Sequence, residues 1–242
     1  MQRYFALDKK DDLFVLDSGD VHHILNVMRM KNGEFVEVVF DEVLYKCKVK
    51  IGESLSVVFD SILESTVNKD FDMVLIVPVL KEQKMDFILQ KATELGVNKI
   101  IPIVTERSIV KVNDKEEKKI IRWSRIVKEA SEQCKRVNVP IIDNVKCIDD
   151  LIFSDGVKYV CSTREISKNI KNVMHNIYEC AKMYIVVGPE GGFSTYEEDK
   201  LNSLGFVSIS LGSRIMRVET VPIYVLSILN YEFMEWFYEF FE

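Results

Sequence analysis

The 242-residue sequence predicts an α/β protein in two parts: a small β-rich domain over residues 1–68, and an α/β domain over residues 71–242 whose mostly parallel sheet is covered by helices. Three observations carry this. Short strand-like runs crowd the first 63 residues, with a single helical pattern among them. Beyond residue 70, continuous apolar runs alternate with helical periodicity, the pattern of parallel strands buried on both faces. Two late apolar runs break at glycine-bearing loops and re-enter helix, which places a site on those loops.

The early strands are expected at Arg3–Leu7, Leu13–Leu16, Glu34–Phe40, Val43–Ile51 and Leu55–Leu63. In Val43–Ile51 the apolar residues Val43, Tyr45, Cys47 and Val49 alternate with Lys46, Lys48 and Lys50, as a strand with one solvated face requires. Asp20–Arg29 reads as helix, with His22 and His23 on its surface or in local hydrogen bonds. Polar, aperiodic Ser65–Asp70 is the expected linker.

Met73–Leu80, a helix over Gln83–Leu95 closed by Gly96, and Lys99–Val104 form a β-α-β unit. A long charged helix is expected over Lys115–Val137, and strands near Val139–Ile142, Lys158–Cys161, Met183–Val187 and Phe206–Leu211. Ser194 and Glu197 stand in capping-box spacing and start a helix. The last helix runs from Glu219 to about Phe241. Its Tyr224, Tyr231, Phe233, Trp236, Phe237, Tyr238, Phe240 and Phe241 call for burial in the core or against a partner subunit.

Net charge is −6, yet residues 81–136 carry 14 basic and 9 acidic side chains, a local excess suited to phosphate backbone. Five scattered cysteines read as reduced thiols, with no metal site expected. Neither terminus has the pattern of a membrane span or signal peptide, so a soluble cytoplasmic protein is expected. Gly188-Pro189-Glu190-Gly191-Gly192 lacks the lysine and hydroxyl of a P-loop, and no G-x-G-x-x-G follows an early strand. A structural turn and a nucleotide-like ligand approached closely by glycine backbone both stay open for this loop taken alone.

Paired with Leu211-Gly212-Ser213-Arg214-Ile215-Met216-Arg217-Val218-Glu219-Thr220, that loop resembles the SPOUT superfamily of knotted RNA methyltransferases. The closest pattern is the bacterial 16S ribosomal RNA uridine-N3 methyltransferase (RsmE-type) family. The resemblance spans nearly the whole chain. It includes Arg3-Tyr4-Phe5, Met28-Arg29-Met30-Lys31, Lys81, Gln90-Lys91-Ala92-Thr93-Glu94-Leu95-Gly96-Val97, Thr105-Glu106-Arg107-Ser108, Arg122-Trp123 and Glu129–Arg136. The chain departs from the family at Met216, Val218 and Val221-Pro222, where leucine, threonine and alanine are commoner.

The resemblance implies that the N-terminal domain is a PUA-like β-barrel, and it implies a deep C-terminal trefoil knot, a homodimer, and S-adenosyl-L-methionine (S-adenosylmethionine) held by three loops. The implied cofactor residues are Thr163 in the first loop, then Val187, Gly188, Glu190, Gly191 and Gly192, then Leu211, Gly212, Ile215, Met216 and Arg217. Arg217 and Arg214 are expected to stabilise charge on the uracil oxygens, with Glu219 the candidate proton acceptor. RNA contacts are expected from Arg3, Arg29, Lys31, Arg107, Arg125 and Arg136. The partner is 16S rRNA or the small ribosomal subunit. A different RNA target, or a non-catalytic ribosome-assembly role, are the competing readings.

Overall fold

The computed structural model describes residues 1–64, 71–108, 116–174 and 182–239, without the side chains of Glu64, Met174 and 233–239. The expected linker at Ser65–Asp70, Cys180, and the aromatic side chains from Phe233 onward lie outside the described residues. By contacts the chain divides into two units, Met1–Lys69 with Lys128–Val139, and Asp70–Val127 with Pro140–Glu242.

In the first unit, strands β1 (Arg3–Phe5), β2 (Asp8–Lys10), β3 (Leu13–Val15), β4 (Phe35–Phe40), β5 (Val43–Ile51) and β6 (Leu55–Glu64) form one sheet in the order β1-β4-β5-β6-β3-β2. The two edge strands are consecutive pieces of one N-terminal segment. Between them Ala6 N donates to Val39 O on β4, and Leu7 N donates to Val15 O on β3. The ladder thus returns on itself as a barrel. Inside lie Tyr4, Phe14, Ile24, Val36, Val38, Cys47, Val49 and Val57.

β5 has the bounds its alternation predicts, but its pairing with β6 shifts register twice, at Leu44/Tyr45 and Lys46/Cys47. The helical stretch begins earlier than expected. Helix α1 (Ser18–His22) is capped by Asp17, whose side chain accepts from Asp20 N, and it passes into a π-turn over His23–Val27. His23 Nδ1 lies 2.9 Å from the Tyr4 hydroxyl and His22 Nδ1 3.0 Å from Asn26 Nδ2, so both histidines are locally hydrogen-bonded.

The second unit holds β7 (Asp72–Pro78), α2 (Glu82–Glu94), β8 (Lys99–Val104), and the part of α3 (Glu116–Gln133) up to Val127. There follow β9 (Ile141–Ile142), β10 (Lys146–Cys147), β11 (Val157–Cys161), α4 (Ile170–Met174), β12 (Lys182–Val187), α5 (Thr195–Ser203), β13 (Val207–Ile209) and α6 (Thr220–Glu239). Its strands run β10-β8-β7-β12-β11-β13, with β9 beside β8, and every pairing is parallel. Val74, Ile76, Ile101, Ile103, Val160, Tyr184 and Val186 join one buried cluster. Leu75, Val77, Ile100, Met183 and Ile185, alternating with them, are buried too. Both faces are therefore covered, as parallel strands require.

Gly96 closes α2 in the left-handed region (φ +88°) and meets α6 across the sheet face, where Asn230 Nδ2 donates to Leu95 O at 2.9 Å. Pro222 is tolerated within the first turn of α6, where no intrahelical donor is lost. Tyr224 and Tyr231, seven residues apart on one face of α6, remain 40% and 66% exposed in the single chain.

Candidate active site

Because all the strands are parallel, the C-terminal ends of β7, β8, β11, β12 and β13 lie along one edge. The chain switches direction there: β12 takes the place between β7 and β11, although both precede it in sequence. Such a switch point opens a crevice for ligands. Three loops leave this edge, residues 162–169 after β11, 188–194 after β12 and 210–219 after β13.

The loops are tied to one another. Ser162 N donates to Ile209 O, and Ser210 N to Lys168 O at 2.7 Å, joining the first loop to the third. Arg164 Nη1 reaches Glu198 Oε2 at 2.8 Å, linking the first loop to α5. Lys84, in the first turns of α2, places its Nζ 2.8 Å from Glu190 Oε1 and 3.2 Å from Glu219 Oε2, spanning the second and third loops. Arg107 Nη1 donates to Gly191 O at 3.0 Å. A Cβ on Gly191 would stand 3.2 Å from that arginine's Cβ, so glycine allows the close approach. The second loop then closes through the capping box, with Ser194 accepting from Glu197 N and Glu197 from Ser194 N.

Between the loops lies a cavity of about 260 Å³. Of the residues expected at a cofactor, Thr163, Val187, Gly188, Glu190, Gly191, Gly192, Ile215 and Met216 line it. Leu211, Gly212 and Arg217 share the third loop but are absent from the lining. Sequence reasoning passed over Cys161, Ser162, Arg164, Phe193 and Glu198, which also line it. Cys161, Ser162 and Arg164 stand at or just past the end of an apolar run, whereas Phe193 and Glu198 carry no such signal. The departures Met216, Val218 and Val221 face the cavity as apolar groups, preserving a wall without the hydroxyl.

These residues suit a partly apolar ligand that backbone can approach closely. Gly192 has φ +68° and a Cβ there would meet nothing within 4 Å, leaving backbone open to a ligand. Ile215 is 85% exposed, a large apolar side chain that a ligand would cover. Burial of the Glu190 carboxyl works to raise its pKa, but the Lys84 hydrogen bond, a backbone hydrogen bond and the charges of Lys84 and Lys81 together outweigh it and hold the group below its usual value. The same bond holds the Lys84 ammonium above its ordinary value. Burial pushes the Cys161 thiol up to about 12, so it is not a thiolate nucleophile at neutral pH.

Arg214 and Arg217 are exposed, and neither guanidinium has a partner among the described residues. Arg217 is fixed through its backbone, its carbonyl accepting from Thr220 N at 2.9 Å. Glu219 Oε2 is buried and accepts no hydrogen bond; its 3.2 Å contact with Lys84 is an ion pair without hydrogen-bond alignment.

The expected RNA contacts divide. Arg29, Lys31 and Arg125 are exposed, and Arg107 is exposed while bonded to the second loop. Arg3 corrects the expectation: it is only 6% exposed, its Nε donates to Glu37 Oε2 at 2.9 Å and its Nη1 to the carbonyls of Lys135 and Arg136. It ties the barrel to the 128–139 segment of the same unit and does not face a ligand. Arg136 is half-buried and bonded to Asn138 Oδ1. Among the described residues no cluster of histidine, cysteine or carboxylates is arranged for a metal, and no helix is long and apolar enough to cross a membrane.

Comparison with known proteins agrees with this geometry. Residues 67–230 match the RNA methyltransferase domain family and residues 16–60 the RNA methyltransferase PUA domain family. The ribosomal RNA small subunit methyltransferase E of Bacillus subtilis (strain 168) is 34% identical, covering 96% of this chain and 97% of that protein. The crystal structure of the Neisseria gonorrhoeae ribosomal RNA small subunit methyltransferase E bound to S-adenosyl methionine is 28% identical with a TM-score of 0.84, covering 95% of this chain and 96% of that one. A Legionella pneumophila protein solved with bound SAM is 28% identical with a TM-score of 0.86, covering 96% and 97%.

Proposed function

Because the chain belongs to the RNA methyltransferase family that includes ribosomal RNA small subunit methyltransferase E, we propose that it methylates N3 of a uridine in 16S ribosomal RNA with S-adenosylmethionine as donor. The observation that carries this reading is the three-loop cavity at the switch point of a wholly parallel sheet, in a chain whose relatives are solved with that donor.

Thr163, Val187, Gly188, Glu190, Gly191, Gly192, Ile215 and Met216 would hold the donor, with Leu211, Gly212 and Arg217 closing the same loop around it. Bound there, it supplies an electrophilic methyl group on a sulfonium. The rest falls to the protein. Neutral uracil carries a proton on N3 and pairs through it, so the base must be exposed and N3 must lose that proton. The N3–H electron pair becomes the N3–CH₃ bond while the S–CH₃ pair stays with sulfur. Arginine keeps its proton throughout. Arg217, assisted by Arg214, therefore acts by stabilising negative charge on O2 and O4. Glu219, at the end of the third loop, is the proton acceptor in this scheme.

The barrel unit and the basic residues Arg29, Lys31, Arg107 and Arg125 bind RNA in this reading, with 16S rRNA or the small subunit as partner. Residues 1–68 form the RNA-binding domain and 71–242 the methyltransferase domain, with a C-terminal trefoil knot; the insertion of β12 between β7 and β11 supports such threading. Exposed Tyr224 and Tyr231 on α6 support a homodimer that covers them, and the rRNA substrate supports a cytoplasmic location. Deleting the gene and analysing small-subunit rRNA nucleosides by mass spectrometry tests the activity: N3-methyluridine disappears, and its persistence contradicts the reading.

A further inference from the structure

Two motifs of the sequence, Lys81 and Thr105–Ser108, are not absorbed by the donor cavity. In the fold they meet. A second cavity of about 180 Å³ is lined by Val79, Lys81, Lys84, Ser108, Pro189 and Glu190, and Pro189 and Glu190 are common to both cavities. We propose that this second cavity is the acceptor subsite, which takes the extruded uracil base of the RNA, and that Lys81 positions it; the inference rests on the methyltransferase reading above.

Size, charge and hydrogen-bonding pattern point the same way. At about 180 Å³ the cavity falls below the roughly 300 Å³ at which sites for drug-sized ligands begin, and suits one pyrimidine ring. Val79 and Pro189 offer apolar walls for the ring faces. Lys84 is committed to Glu190 and Glu219, which leaves the Lys81 ammonium to meet an incoming group. Lys81 is exposed at the start of α2, without a side-chain cap bond, and its ammonium is available to donate. Across uracil the edge reads acceptor, donor, acceptor at O4, N3–H and O2. The ammonium of Lys81 is a donor for O4, and the Ser108 hydroxyl, 2.7 Å from Thr105 Oγ1, can donate as well when that threonine donates to it. Cytosine presents an amino donor where uracil has O4, and would set it against the Lys81 ammonium. Because Glu190 walls both cavities, the acceptor nitrogen and the methyl donor are brought to a common boundary.

The test compares wild-type protein with Lys81→Met and Lys81→Trp, measuring methyl transfer to small-subunit rRNA and donor affinity by calorimetry. Lys81→Trp fills the cavity and should lower kcat/KM for RNA about 100-fold, the scale of misplacing a reactant. Lys81→Met keeps the volume and loses the donor, and should cost roughly 10- to 100-fold, mainly in kcat. S-adenosylmethionine affinity should stay within about twofold for both, which also reports an intact fold. Undiminished transfer by Lys81→Trp would overturn the subsite, as would loss of donor affinity in step with activity. Wild-type protein that transfers no methyl to this RNA would overturn the functional reading itself, and the subsite with it.

Discussion

Lys84 and Lys128 are each held among carboxylates, in different units and to different ends. Lys84 Nζ reaches Glu190 and Glu219 at 2.8 and 3.2 Å, with side chains 35%, 34% and 19% exposed. Lys128 Nζ reaches Asp17 and Asp20 at 2.6 Å and Glu132 at 3.2 Å, with Lys128 20% exposed and Asp20 and Glu132 9%. In each cluster the carboxylate oxygen at 3.2 Å is buried and accepts no hydrogen bond. The surroundings make the difference. Around Lys84, desolvation of Glu190 is outweighed by the Lys84 hydrogen bond together with a backbone hydrogen bond and the charges of Lys84 and Lys81, so its pKa falls below the ordinary value. Around Lys128, burial pushes Glu132 up to about 7, with the Asp20 charge adding to it, while burial also raises Asp20. Asp17, more open, is desolvated too, but the Lys128 hydrogen bond and charge together with the backbone N–H groups of Asp20 and Gly19 lower it. One lysine joins loops that must admit ligands; the other holds a helix entry within the barrel unit.

Removing the two ammonium groups should separate these roles. Lys128→Met leaves three carboxylates without their cation and should destabilise the protein by about 3–5 kcal/mol at neutral pH, read from denaturant unfolding. Arg217→Ala, beside the open cluster, should lower methyl transfer by about 100-fold, or about 2.7 kcal/mol, with donor affinity retained in calorimetry. Lys84→Met should cost about 1 kcal/mol of stability or less, because the pair is partly solvated. Its effect belongs instead in the cofactor: untying the two loops should weaken donor binding about fivefold, close to 1 kcal/mol. Equal destabilisation by Lys84→Met and Lys128→Met would erase the distinction.

The smallest effect is a pH slope. Glu132 has its pKa raised on folding, so between the ordinary carboxylate value near 4.5 and about 7 the folded state binds more protons than the unfolded one. Its contribution is therefore favourable below the unfolded pKa and lost as pH rises through about 7. In Glu132→Gln, the fall in unfolding free energy from pH 5 to pH 7.5 should be shallower than in the wild type.

Local signals were legible where they act through neighbouring residues. The Ser194–Glu197 box, the stop at Gly96, the bounds of Val43–Ile51 and the two glycine loops all follow from short-range chemistry, and each is found where it was read. Pairings across long separations were not. Lys84 and Glu190 are 106 residues apart, and nothing in their spacing selects one another. Arg3 read as a ligand-facing arginine because its partners, Glu37 and the carbonyls of Lys135 and Arg136, are supplied by distant strands and turns. The insertion of β12 between β7 and β11 is likewise invisible in periodicity, which reports that a strand is buried but not beside which neighbour.

The most direct test is reconstitution with purified protein, S-adenosylmethionine carrying a labelled methyl group and small-subunit ribosomal RNA, followed by digestion to nucleosides and mass spectrometry. The account predicts label in N3-methyluridine, present with wild-type protein and nearly absent with Arg217→Ala. Label on a ribose or another base, or no label despite measurable donor binding, would contradict it.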